Sequence, residues 1–176
     1  MSALTHATAR SALVIGTAGH LLDIEAEIVT GPAGLRFNGI PASAIWPVRD
    51  RLRAAVLNSG MHWPDERIRV SMRPEGLPVY SSSVDLALGV VILAAAGMVP
   101  PDRLGGRLFL GELGLNGAVR PVAGVAVAVR AAVHAGITEV VVPGACMDAL
   151  GQDSGAALLP ATGLTEVIDW LTGDAP

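Results

Sequence analysis

The sequence predicts an α+β domain, mixed α/β in two layers, with antiparallel strands first and helix–strand alternation later. Three patterns carry this expectation. Residues 20–29 alternate, with Leu22, Ile24, Ala26 and Ile28 to one side and Asp23, Glu25 and Glu27 to the other. A period of two marks a half-buried strand of an antiparallel pair. Residues 84–99 and 122–135 are apolar nearly all round, as centrally buried helices are. Short apolar runs of strand length stand at 108–110 and 139–142, the second rich in β-branched residues.

In chain order, residues 1–10 are small and polar and read as a flexible N-terminus. One domain runs from 11 to 172, and 173–176 reads as the start of a linker or tail. A first strand covers 11–15. The turn Gly31-Pro32-Ala33-Gly34 leads to a third strand at 35–40. Residues 41–58 hold a connection and a helix, with Val48, Leu52, Ala55 and Val56 on its inner face and Arg49, Arg51 and Arg53 mostly outside it. Pro47 belongs in its first turn, and Asn58-Ser59-Gly60 stops it. A fourth strand covers 67–72 and a loop 73–83. Ser82-x-x-Asp85 offers the next helix a capping box, with Asp in place of Glu, and Pro100-Pro101 ends that helix. Gly136 stops the helix over 122–135. A helix, a strand and a terminal helix follow at 145–150, 156–159 and 164–171.

Composition narrows the function. Apolar residues make up 51% and aromatics only 3%, so Ala, Val, Leu and Ile build the core. Charged residues are 16% against a usual roughly 25%, which fits extensive burial or a face meant for a partner. The net charge of −4 argues against a free-standing nucleic-acid binder. A single cysteine, Cys146, fits a reducing, cytoplasmic setting. The apolar run at 86–99 is too short to span a membrane, and no export signal is evident. All 12 basic residues are arginine. Without lysine the chain holds no P-loop and no Ser-Lys dyad. The four histidines lack ligand spacing, so no metal site is expected, and Asp23, Glu25 and Glu27 read as a solvated strand face.

The most informative stretch is Gly111-Glu112-Leu113-Gly114-Leu115-Asn116-Gly117-Ala118-Val119-Arg120-Pro121-Val122-Ala123-Gly124. Asn116-Gly117 between apolar flanks signals a tight hairpin. The stretch resembles the Gly-Glu-(x)-(x)-Leu-(x)-Gly-(x)-Val-(x)-Pro-(x)-Gly-Gly run of the Lon-type peptidase fold. It is closer to the non-peptidase version in the ComM/YifB family, the ChlI-related, magnesium-chelatase-like AAA+ ATPases. Gly39-Ile40-Pro41, the run from Arg49 to Val56 and Asn58-Ser59-Gly60 also look like that family's signature. Departures are Pro32-Ala33 for Leu-Pro, Trp46-Pro47 for a Glu-Ser type pair, and a rewritten loop. Where relatives read Leu-Pro-Lys-(x)-Gly-(x)-(x)-Tyr/Phe-Asp-Leu, residues 77–86 keep Pro78 and Asp85-Leu86 but lack the lysine, glycine and aromatic.

The resemblance implies a Lon-protease-domain-like fold over about 11–172 and a non-catalytic N-terminal domain of a ring-forming AAA+ protein acting in DNA branch migration. ATP and Mg would belong to a separate AAA+ domain, leaving no cofactor for this chain. Its partners would be that domain or a separate ATPase, with DNA in a hexameric ring and no membrane. Ser83 falls at the peptidase serine position and Ala126 at the lysine position, so the serine has no base. Arg49, Arg51, Arg53 and Arg120 are candidate nucleic-acid or partner contacts, against the plainer expectation of a solvated face. Two alternatives stand beside this: a stand-alone interaction module, and a peptidase with an unusual base.

Overall fold

The computed structural model describes residues 5–77, 80–151 and 154–173. A seven-stranded sheet is the frame: β1 (His6–Ile15), β2 (Ala18–Val29), β3 (Gly34–Asn38), β4 (Arg67–Arg73), β5 (Arg107–Phe109), β8 (Glu139–Pro143) and β9 (Ala157–Ala161), in the spatial order β3-β4-β2-β1-β5-β8-β9. A separate hairpin joins β6 (Glu112–Leu113) to β7 (Val119–Arg120). The helices are α1 (Ala42–Asn58), α2 (Asp85–Ala95), α3 (Val125–His134), α4 (Met147–Leu150) and α5 (Leu164–Thr172). β1, β2 and β4 pair antiparallel, while β5, β8 and β9 continue from β1 in parallel. The expected order of antiparallel first and alternating later is therefore present.

The sheet has two unlike halves. On one side Ala7, Ala9, Leu13, Leu22, Ile24, Val70, Phe109 and Val141 pack with α1, α2 and α5 into the larger core. α2 is buried along its whole length. On the other side α3 packs on Ala12, Leu108, Leu110, Val140 and Val142, so a third layer covers part of a sheet expected in two layers. Gly19 permits this close approach, because a Cβ there would meet the backbone carbonyl of Val127 and the methyl of Ala131. Beyond α3, the strands show polar side chains to solvent. Arg10 bonds Asp23 at 2.9 Å, Arg69 bonds Glu27 at 2.7 Å, and Arg73 comes within 3.9 Å of Glu25. The three carboxylates of β2 thus face arginines of the neighbouring strands.

Four boundaries differ from expectation by about a helical turn or more, each for a local reason. β1 begins at His6, inside the segment read as a flexible end, because Ala7 and Ala9 are buried in alternation with exposed His6, Thr8 and Arg10. Small alanines hid that alternation. α1 begins at Ala42, directly after Pro41, which puts Pro47 in the second turn and not the first. There it withholds a hydrogen bond from the carbonyl of Ser43. α2 ends at Ala95 and not at the prolines. Gly97 takes a left-handed φ of 78°, and the N–H of Met98 closes on the Leu93 carbonyl at 2.9 Å, a Schellman ending. The same closure ends α1 (Met61 on Val56) and α3 (Ile137 on Ala132), where glycine stops were expected. α3 begins only at Val125, after Gly124 at φ 71°. Residues 1–4, Pro78, Val79 and the expected tail at 174–176 lie outside the described residues.

The start of α5 is fixed by Glu166, whose carboxylate accepts from the N–H and hydroxyl of Thr162, both at 2.8 Å. These bonds, the backbone one first, hold its carboxyl below the usual range. A depressed folded pKa contributes stability above the unfolded value and loses it as pH falls through the folded one. Glu166→Gln is therefore expected to cost under about 1 kcal/mol at pH 7, given the group's exposure. The difference from the parent should shrink below about pH 4. Urea titrations at both pH values check this, and a constant difference would reject it.

Candidate functional site

Where the loop before α2 meets α1 and the hairpin, one buried carboxylate gathers four donors. Asp85 is fully buried. Arg51 of α1 grips it with two bonds, at 2.6 and 2.9 Å. The Tyr80 hydroxyl donates to it at 2.7 Å, and the Leu113 N–H at 3.2 Å. Burial pushes the Asp85 carboxyl up, while Arg51, Tyr80 and Leu113 pull against that. The bond to Asp85 raises the Arg51 pKa. Burial, then the neighbouring charge, pushes the Tyr80 phenol up. Among the described residues no buried side-chain polar atom lacks a partner.

The expected capping box is absent. Ser81, not Ser82, accepts the N–H of Ser83, at 3.2 Å, and so starts the 3-10 turn Ser82–Val84 that feeds α2. Asp85 turns inward to Arg51. Ser82 instead donates to Glu112 of β6, beside which Arg120 stands at 3.9 Å. Ser83 is buried, and its hydroxyl donates to the Ala12 carbonyl at 3.4 Å. Its own carbonyl accepts from Gly111 at 2.9 Å. Ala126 is a half-buried residue of α3 whose methyl supplies no proton acceptor.

The candidate arginines do not form one patch. Residues two apart on a helix point to different faces, so Arg51 turns inward and Arg49 and Arg53 outward. The solvated-face expectation is corrected for Arg51, whose guanidinium is committed to Asp85. Arg49 lies over the Trp46 ring at 3.9 Å. Arg53 is exposed with no ion pair among the described residues. Among the described residues Trp46, Leu57 and Leu115 are the exposed large apolar ones. Sequence reasoning missed the Arg51–Asp85–Tyr80 cluster. An aspartate at the head of an all-apolar helix was the available signal, because a carboxylate there requires a partner.

The hairpin seats against the same region. Asn116-Gly117 predicts a two-residue turn with both residues left-handed, but only Gly117 has positive φ, 83°. The bonds Gly117 N–H to Gly114 and Gly114 N–H to Ala118 make a three-residue loop, and the Asn116 side chain accepts from Ala118. The Asn58 amide donates to the Leu115 carbonyl at 2.6 Å, and Leu164 N–H to that of Gly117 at 2.8 Å. A Cβ at 117 would strike the Ser59 hydroxyl.

Asp85→Ala strands a half-buried guanidinium, a phenol and a buried N–H, and is expected to cost about 3 kcal/mol. Tyr80→Phe removes one bond and should cost about 1–3 kcal/mol. Urea denaturation measures both; equal costs would show that Arg51 is not the dominant partner.

No helix among the described residues is long and apolar enough to cross a membrane. The family model described as subunit ChlI of Mg-chelatase matches residues 24–145. An uncharacterized protein of Mycobacterium tuberculosis is 39% identical over 93% of this chain and 32% of its own length. YifB of Escherichia coli is 31% identical over 86% of this chain and 30% of its own length. The competence protein ComM of Haemophilus influenzae is 33% identical over 67% of this chain and 23% of its own length. The chain thus spans about a third or less of these relatives. With the family model covering well over half of its residues, the chain belongs to the magnesium-chelatase-like family of YifB and ComM.

Proposed function

We propose that this domain is a non-catalytic module of an ATP-driven DNA machine, shaping a hexameric ring or its DNA entrance during branch migration of incoming DNA. The observation that supports this most is kinship to proteins about three times longer, one of them named a competence protein. The lack of any lysine means that a P-loop would have to come from a segment outside these residues or from a separate ATPase. ATP and Mg would act there. This domain contributes architecture: Asp85 locks α1, α2 and the hairpin into one block. Ser83 spends its hydroxyl on a backbone carbonyl, which disfavours a peptidase role.

The encoding DNA downstream of Pro176 gives the first test. A continuous frame reaching Gly-x-x-x-x-Gly-Lys-Ser/Thr supports the proposal, and a stop codon there favours a stand-alone interaction module. For a continuous frame, the longer protein should hydrolyse ATP faster with branched DNA present. Ser83→Ala should leave that rate and the absence of labelling by a serine-reactive probe unchanged. Labelling that disappears in Ser83→Ala would restore the peptidase alternative.

A further inference from the structure

The open half of the sheet, beyond the reach of α3, is used by nothing described so far. We propose that this face of β3, β4, β2 and β1 binds the phosphate backbone of nucleic acid. The proposal takes its partner class from the DNA reading above and its site from charge. Register puts Arg36 beside Arg69 and Glu27 between Arg69 and His6 on this face. In a chain of net charge −4, the face carries five arginines against three carboxylates, so the acid excess lies elsewhere on the molecule.

Two of those arginines are uncommitted. Arg36 is exposed and Arg67 half-buried, and neither has an ion pair among the described residues. They sit on adjacent strands as diagonal neighbours, because Arg67 pairs with Gly34 and Arg36 with Arg69, which sets their backbones about 7–8 Å apart. Arg73 is held only loosely, 3.9 Å from Glu25.

The rest of the face suits a polyanion better than other partners. A protein interface needs an apolar anchor at its centre, and a membrane surface needs apolar groups to insert. Here only Val29, at the margin, is apolar. The face carries no Phe, Tyr or Trp, and His6 at its margin is its single ring, so it offers successive bases no stacking platform. Contacts would be to phosphates, blind to sequence and steeply salt-dependent. The carboxylates of β2 limit the affinity, which gives the test two opposite signs.

The test is fluorescence anisotropy of the full 176-residue chain with a labelled duplex, from about 50 to about 200 mM salt. Arg36→Ala/Arg67→Ala is expected to weaken binding about tenfold or more at low salt and to flatten the salt slope by about 2. Glu25→Gln should tighten binding, a gain that a merely structural role would not give. Arg49→Ala/Arg53→Ala, on α1, should change nothing. Circular dichroism establishes that each variant is folded. Binding unaffected by the sheet substitutions, or lost in the helix variant instead, overturns the face while leaving the DNA reading in place. Absence of binding by the parent chain at low salt also overturns it, and the DNA reading then rests on the ATPase measurement alone.

Discussion

The arrangement turns on one carboxylate taken fully out of water. An ionised Asp at the head of an apolar helix is costly to bury unless its lone pairs are filled. Asp85 meets that demand with donors from three directions: Arg51 on α1, Tyr80 in the preceding loop and Leu113 on the hairpin. Each donor ties a different segment to α2. Once α2 is held, its apolar surface organises the larger core, because it packs on both β1 and β2 as well as α1. The polar cluster therefore sets how the elements meet, and hydrophobic burial supplies the bulk of the stabilisation.

The sheet divides because its two sides answer to different neighbours. Over the C-terminal half of β1 and over β5 and β8 both sides are apolar, and helices cover both, as parallel strands require. Over β2, β3 and β4 one side is apolar and the other charged; the antiparallel pair β2–β4 permits a solvated face, and β3 extends that face in parallel to β4. Gly19 stands at the border, where α3 comes closest to β2. The charged half is not a random mixture. Acids concentrate on β2 and arginines on its neighbours, so cross-strand attraction and a net positive face arise together.

Much of this was legible in the sequence. Alternation at 20–29 fixed which side of β2 is buried, and the two apolar segments located α2 and α3 at the centre. The glycine after α1 and the one after α3 were read as stops and act as stops. What was not legible depended on contacts distant in sequence. Arg51 looked like its neighbours Arg49 and Arg53, and only the position of Asp85, 34 residues away, separates it from them. The capping role passed from Ser82 to Ser81 because Glu112, across the fold, takes the Ser82 hydroxyl. Asn116 stayed out of the left-handed region because a three-residue loop needs only Gly117 there.

Three successive serines precede α2, and each hydroxyl is engaged in a different direction. Ser81 accepts a backbone N–H, Ser82 donates to Glu112, and Ser83 donates to the Ala12 carbonyl. A serine becomes a nucleophile when a neighbouring base takes its proton. A backbone carbonyl holds the Ser83 proton but has too little basicity to remove it, and Ala126 offers no base. The polar groups around position 83 bond to one another and to backbone. The three serine hydroxyls thus tie this loop to itself, to the hairpin through Glu112 and to β1 through Ala12.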